Sequence, residues 1–430
     1  MKRQLFFIVI LVATAYCAAA QTATTSFNVN GIKVIFKPTT KKVIDIRIYF
    51  RGGVTNYKPE QAGIERFTLS GAAQCGTKKY AASALRDTAQ KYGVQLSGSA
   101  DYDYGYMEMN CISMYFDIGW DLFAEAVTNP VFDDDEVTLL KARLVTAAQR
   151  AESDPDAKLF SLQMRAAFEN TPYAMKPNGT EQTLNSFTVA DLKNYYKTLL
   201  NKNKLFIVAV GNIDKQQLYE KILYAFDNIP ASSYVPDNLQ SPVWGDNKLV
   251  SEQRNLKINY VSAATPAPAF TSVDYVPFRL AVSGMGGNLY SALRTNYHIA
   301  YDVWSSSIPL KIPLSMFGAN TNNPREAMKQ MMDVIKSVQN RGFNEDWLQH
   351  LKNIYVVRNY FSEQSSKEVA ESLGQAEILG NWQYADDLPQ LVNMVTVEQM
   401  NRVVNFYITG LHWAYLGNLD AIEGFKPPPY

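Results

Sequence analysis

Histidine is nearly missing from this sequence: of 430 residues only His298, His350 and His412 are histidine, and none falls between Gln21 and Tyr297. No two of them stand at the i, i+3 or i, i+4 spacing that aims two imidazoles at one metal ion, so a histidine-based site could form only from distant segments. An excess of either charge is missing too. Forty-one Lys+Arg balance 41 Asp+Glu, and no global field steers the chain toward nucleic acid or an acidic surface. There is no G-x-S-x-G nucleophile elbow and no Walker loop. Gly284-Met285-Gly286-Gly287 lacks the third glycine of a dinucleotide turn and reads as a tight turn between two helices. The acidic run Asp133 to Glu136 lacks the alternating spacing of a calcium loop; acids at a helix N-terminus, offsetting the macrodipole, account for it.

Long apolar runs are scarce as well. Only Leu5 to Ala15 qualifies, and it is shorter than the roughly 18 residues a membrane span needs. With Lys2-Arg3 before it and Ala18-Ala19-Ala20 after it, residues 1–20 read as a cleavable secretory leader, cut before Gln21. Tyr16 ahead of Cys17 is a poor fit to a lipoprotein signal. The expected location is the far side of the inner membrane, in a bacterial periplasm, as a soluble chain. Cleavage would leave Cys75 and Cys111, which an oxidising compartment lets pair as one disulfide or which stay as two buried thiols.

The chain is longer than a single hydrophobic core usually grows, so more than one domain is expected. A self-comparison shows how they arise. Thr188-Val189-Ala190-Asp191-Leu192 precedes Val208-Ala209-Val210-Gly211-Asn212-Ile213-Asp214, and Thr396-Val397-Glu398-Gln399-Met400 precedes Ala414-Tyr415-Leu416-Gly417-Asn418-Leu419-Asp420. Order, residue type and spacing agree at an offset of about two hundred residues, the mark of an internal duplication. Each copy predicts a helix capped by its Thr, then a strand ending at a Gly-Asn turn; Thr188 and Asp191 form a capping box, and Lys204 to Val210 is an apolar, β-branched strand.

Gly31 to Lys37 and Val43 to Phe50 alternate around a Lys-rich turn and predict an opening hairpin. Val94 to Ala100 and Tyr104 to Ser113 predict a second strand pair. Asp117 to Val127 and Asp134 to Glu152 predict long helices. The sum is an α+β unit made twice, over 21–230 and 247–430. Residues 231–246, with Pro236 and Pro242 and no periodicity, form the linker.

The segment from Val29 to Thr77, with Arg51-Gly52-Gly53, Gly63 and Gly76-Thr77, resembles the opening of insulinase-type (M16, inverted-zincin) peptidases. There a strand pair leads into a helix carrying H-x-x-E-H. Asn129-Pro130-Val131-Phe132 and Glu152-Ser153-Asp154-Pro155 are similar to that family's second long helix and its ending. The resemblance covers nearly the whole mature chain and implies an M16/LuxS-like metallohydrolase-type duplication. In that family two His bind zinc, the intervening Glu is the base, and a Glu on the later helix completes the site. Here Arg66 and Ser70 stand at the two His positions, Leu69 at the base position and Ala147 at the later ligand position. Glu65, Gln74 and Cys75 are conceivable replacement ligands, but helix surface, loop and structural thiol are the plainer readings.

The run Leu280 to Arg294 followed by Tyr301-Asp302-Val303 looks like the family's second-domain signature, in which an Arg and a Tyr hold substrate peptide beside a zinc bound by another domain. The resemblance thus implies that Arg294 and Tyr301 contact an unstructured peptide, and that the chain is a zinc-less substrate-binding or regulatory subunit. It would have no cofactor of its own, zinc would reside in a heterodimeric M16 partner, and the pair would form a metallopeptidase. The alternative is a structural scaffold derived from the same fold.

Overall fold

The computed structural model describes residues 23–427 apart from positions 238 and 246. The segment 1–20 expected to be a leader, with Cys17, lies outside the described residues. The first half contains strands β1 (Thr25–Val29), β2 (Ile32–Pro38), β3 (Val43–Arg51), β4 (Gln95–Ala100), β5 (Tyr104–Ile112) and β6 (Leu205–Gly211). Its helices are α1 (Ile64–Gln74), α2 (Ala82–Tyr92), α3 (Phe116–Thr128), α4 (Asp134–Ser153), α5 (Pro155–Phe168), α6 (Glu181–Ser186), α7 (Val189–Leu199) and α8 (Lys215–Phe226). The second half contains strands β7 (Leu249–Gln253), β8 (Asn259–Pro266), β9 (Ala300–Ile308), β10 (Leu314–Thr321) and β11 (His412–Gly417). Its helices are α9 (Tyr275–Tyr290), α10 (Pro324–Arg341), α11 (Glu345–Ser362), α12 (Ser366–Leu379), α13 (Gln383–Met394) and α14 (Val397–Tyr407).

The two halves have matching sheets and an α+β fold. The first sheet runs β1-β2-β6-β3-β5-β4 and the second β7-β11-β8-β10-β9. In each, one parallel pair (β2 with β6, β7 with β11) joins an otherwise antiparallel ladder. Both repeat helices begin with reciprocal capping boxes, Thr188 with Asp191 and Thr396 with Gln399, each satisfying an otherwise orphaned N–H.

β2 and β3 do not form the expected hairpin. β6 lies between them, parallel to β2 and antiparallel to β3. The cause is composition: every residue of Leu205–Gly211 is buried, and a strand apolar on both faces gains most from a central position covered on both sides. The glycine cluster at 284–287 is not a turn either. It lies within α9, where a Cβ on Gly284 would come within 2.7 Å of Phe343, one on Gly286 within 2.3 Å of Ser305 and one on Gly287 within 2.8 Å of Trp347. The glycines let β9 and α11 approach the helix closely.

The halves cover each other. α12, from the second half, lies on the first sheet, packing Val369, Ala370 and Leu373 against Ile35, Tyr49, Phe206 and Val208. α5, from the first half, packs Leu159 and Leu162 against Ala414 and Leu416 of the second sheet. Polar contacts set the register. Gln163 donates to the carbonyl of His412 at 2.8 Å and accepts from Ser262 at 2.6 Å. Buried Arg47 pairs with Asp45 at 3.1 Å and reaches the Lys367 carbonyl of α12. Desolvation raises the Asp45 carboxyl above its usual range.

Candidate functional site

α1 begins after Gly63 and carries Arg66, Leu69 and Ser70; α4 carries Ala147. α1 presses directly on β4 and β5. A Cβ on Gly98 would sit 2.1 Å from the Leu69 carbonyl, and one on Gly105 would meet the Leu69 side chain at 2.4 Å. Ser70 donates its hydroxyl to the Gly98 carbonyl at 2.7 Å. Leu69 is fully buried. None of these groups suits zinc: Arg66 is a cation, Leu69 and Ala147 carry no donor atom, and the Ser70 hydroxyl is already engaged. Among the described residues no group of three or more His, Cys, Asp or Glu is arranged to hold a metal ion.

The structure brings Arg66 and Ala147 to one cavity of about 540 Å³. Leu144, Ala147, Ala148 and Ala151, spaced i, i+3, i+4, i+7 on α4, form one wall. Tyr102, Phe160, Ile308 and Leu310 form others, so both halves of the chain contribute. Arg66 hydrogen-bonds to Asn178, and burial holds its guanidinium pKa below the ordinary arginine value.

Glu65 is not helix surface. It is fully buried beneath α7, its Oε2 accepting from the Tyr195 phenol at 2.5 Å and from Asn56 Nδ2 at 2.8 Å, while Oε1 has no partner among the described residues. Desolvation pushes its carboxyl up to about 7, against the pull of those two hydrogen bonds. Sequence reading missed this group because Tyr195 lies 130 positions away. Gln74 accepts from Arg143 at 3.1 Å, and Cys75 and Cys111 are free, buried thiols. Burial pushes both thiols up to about 12, far from the thiolate a metal or a reactive cysteine requires.

Arg294 and Tyr301 lie elsewhere. Arg294 sits in a π-helical turn, Ser291–Asn296, that continues α9, and Tyr301 lies near the start of edge strand β9. Neither lines the cavity of Arg66; the residue of β9 that does is Ile308, seven positions and about 23 Å of extended chain from Tyr301. Arg294 Nη1 donates to the carbonyls of Ala300 and Tyr301. Its Nε and Nη2 make no hydrogen bond among the described residues. The Tyr301 side chain is 64% exposed. The three histidines are dispersed: His298 precedes β9 and contacts the Arg294 carbonyl, His350 is on α11 against Trp347, and His412 is buried in β11 against the Ala166 carbonyl.

Residues 33–181 match the family model described as insulinase (peptidase family M16), and residues 186–355 match the one described as peptidase M16 inactive domain. The chain is 22% identical over 396 residues to the zinc protease PqqE of Helicobacter pylori, covering 88% of each. It is 21% identical over 266 residues to the non-peptidase homolog YmxG of the same organism, covering 61% of each. A crystal structure of a peptidase M16 inactive domain from Pseudomonas fluorescens superposes with a TM-score of 0.83 at 18% identity, over 92% of this chain and 98% of that one.

Proposed function

Because the chain belongs to the insulinase-type peptidase family M16, and Arg66, Leu69, Ser70 and Ala147, the residues that the resemblance sets at that family's zinc positions, offer no ligand, we propose that it is the zinc-less, substrate-holding subunit of a two-chain metallopeptidase acting on unstructured peptides. Zinc and general base would belong to the partner, and this chain would need no cofactor. The observation that carries the reading is Arg294 with Tyr301. Both are exposed, both lie away from the cavity of Arg66 and Ala147, and among the described residues two arms of the Arg294 guanidinium carry no hydrogen bond and can meet a bidentate acceptor. Such groups contribute to turnover only when a second centre activates water beside them.

An exposed apolar stripe on α11 supports a partner-facing surface: Val356, Val357, Tyr360 and Phe361 are 53%, 56%, 65% and 68% accessible. The leader-like pattern of residues 1–20, a basic head, an apolar run and a small-residue end, supports export to a bacterial periplasm. Among the described residues no helix is long and apolar enough to cross a membrane.

The test is reconstitution. The mature chain is mixed with a zinc-bearing M16 chain, and association and cleavage of an unstructured peptide are measured together. The proposal expects little cleavage from this chain alone and a large gain from the pair that Arg294→Ala removes. The scaffold reading, favoured by the similarity to a non-peptidase homolog, expects association with no gain.

A further inference from the structure

Arg66 is a half-buried cation in a cavity with largely apolar walls, and it forms no ion pair among the described residues. We propose that this cavity is itself a binding site, whose ligand is a carboxylate carried on a compact apolar body. The site is distinct from Arg294 and Tyr301 and does not rest on their role.

Three observations converge. The volume of about 540 Å³ falls within the roughly 300–1,000 Å³ of pockets that hold small ligands. The space exists because of side-chain size: Ala147, Ala148 and Ala151 present only methyl groups from α4, opposite Phe160 and Leu310. The charge is placed to be used. Arg66 Nη1 is held by Asn178, fixing the planar group while Nε and Nη2 remain without hydrogen bonds among the described residues. That edge matches the two oxygens of a carboxylate. An unpaired guanidinium beside apolar walls is costly, and an anionic ligand removes the cost.

The other charged groups at the cavity set its selectivity. Lys176 is held by Glu152 at 2.6 Å and adds little net attraction. Asp101 also lines the cavity and attracts the Arg66 guanidinium without pairing to it, so an incoming carboxylate must compete with it and a second negative charge is disfavoured. A monocarboxylate with an apolar tail is therefore preferred over a dicarboxylate. Such a group occurs at the C-terminus of a peptide ending in a large apolar residue and on a medium-length acyl chain.

The experiment is calorimetric titration of the full mature chain with two matched pairs: N-acetyl-Phe-Leu as free acid and as amide, and octanoate with octanamide. At least one acid is expected to bind about tenfold or more tightly than its amide, as loss of one charge-assisted pair implies. Which acid binds better identifies the source, a peptide C-terminus or an acyl carboxylate. Arg66→Met, which keeps the apolar stem, should erase the preference for acid over amide, and Arg66→Lys should restore part of it. Ala147→Phe, a change at an exposed helical position, should abolish binding of acid and amide alike without lowering the melting temperature. The proposal is overturned if no acid binds below about 1 mM, if acid and amide bind equally, or if the preference survives Arg66→Met. Because no partner chain takes part, these outcomes are separate from success or failure of the reconstitution.

Discussion

The phenol of Tyr195 on α7 donates to the buried carboxyl of Glu65 on α1 at 2.5 Å, tying together helices 130 positions apart in sequence. Desolvation raises the Glu65 carboxyl from 4.5 to about 7. Below pH 4.5 folded and unfolded chains both hold the proton. Between 4.5 and about 7 only the folded chain holds it, so stability falls as pH rises through that window and levels off above it. The full difference corresponds to about 3 kcal/mol. Glu65→Gln, which keeps the shape and does not ionise, should flatten this part of the pH profile, measured by urea unfolding from pH 4 to 8. An unchanged slope would mean that Glu65 does not titrate there.

The mature chain should retain no stoichiometric zinc after dialysis, because Arg66, Leu69, Ser70 and Ala147 supply no ligand set. Retention of one zinc per chain with submicromolar affinity would overturn this, since only pre-organised ligands hold zinc that tightly. Restoring the base position by Leu69→Glu should cost at least about 3 kcal/mol, because the carboxylate would enter a fully buried, apolar position. Thermal melting reads that cost.

For the partner complex, Arg294→Ala should lower turnover on the order of a hundredfold, the loss of a charged donor costing a few kcal/mol. Tyr301→Phe should act mainly on kcat, as expected for a contact that strengthens in the transition state. Neither should lower the melting temperature by more than a degree or two, since both side chains are exposed. A falling melting temperature with activity lost in proportion would assign both residues to structure.

Gly374 on α12 leaves room for Tyr49 of β3: a Cβ there would lie 2.1 Å from the ring. Tyr49 is fully buried and stacked on Phe206, with centroids 5.0 Å apart, so the ring cannot swing away. Gly374→Ala should therefore destabilise by about 1–3 kcal/mol despite the better helix propensity of alanine. Calorimetry should show one transition shifted as a whole, because the covering helices couple both halves. Stabilisation, or loss from one half alone, would mean the halves are not coupled.

What could be read from the sequence was local or periodic. The duplication, the helix caps at Thr188 and Thr396, the helices over Phe116–Thr128 and Asp134–Ser153 and the β4–β5 pair all follow from short-range pattern. What could not be read was set by distant partners. β6 separates β2 from β3 because of a preference for a central place that only the complete sheet expresses. Glu65 looks like an ordinary first-turn acid until Tyr195 and Asn56 surround it. The sequence could place Arg66 and Ala147 at related positions, but the cavity between them depends on Ile308 and Leu310 from the other half.

The exchange of covering helices leaves each half incomplete until the other is present. The last strand of the first sheet ends at Gly211, while the helix that shields its outer face begins at Ser366. That face can be closed only after a further 154 residues, 212–365, have followed it. A first half that folds before they arrive presents Ile35, Phe206 and Val208 to its surroundings. A chain built this way depends on being kept from its neighbours until both halves are present, because two unfinished copies can pair through that surface.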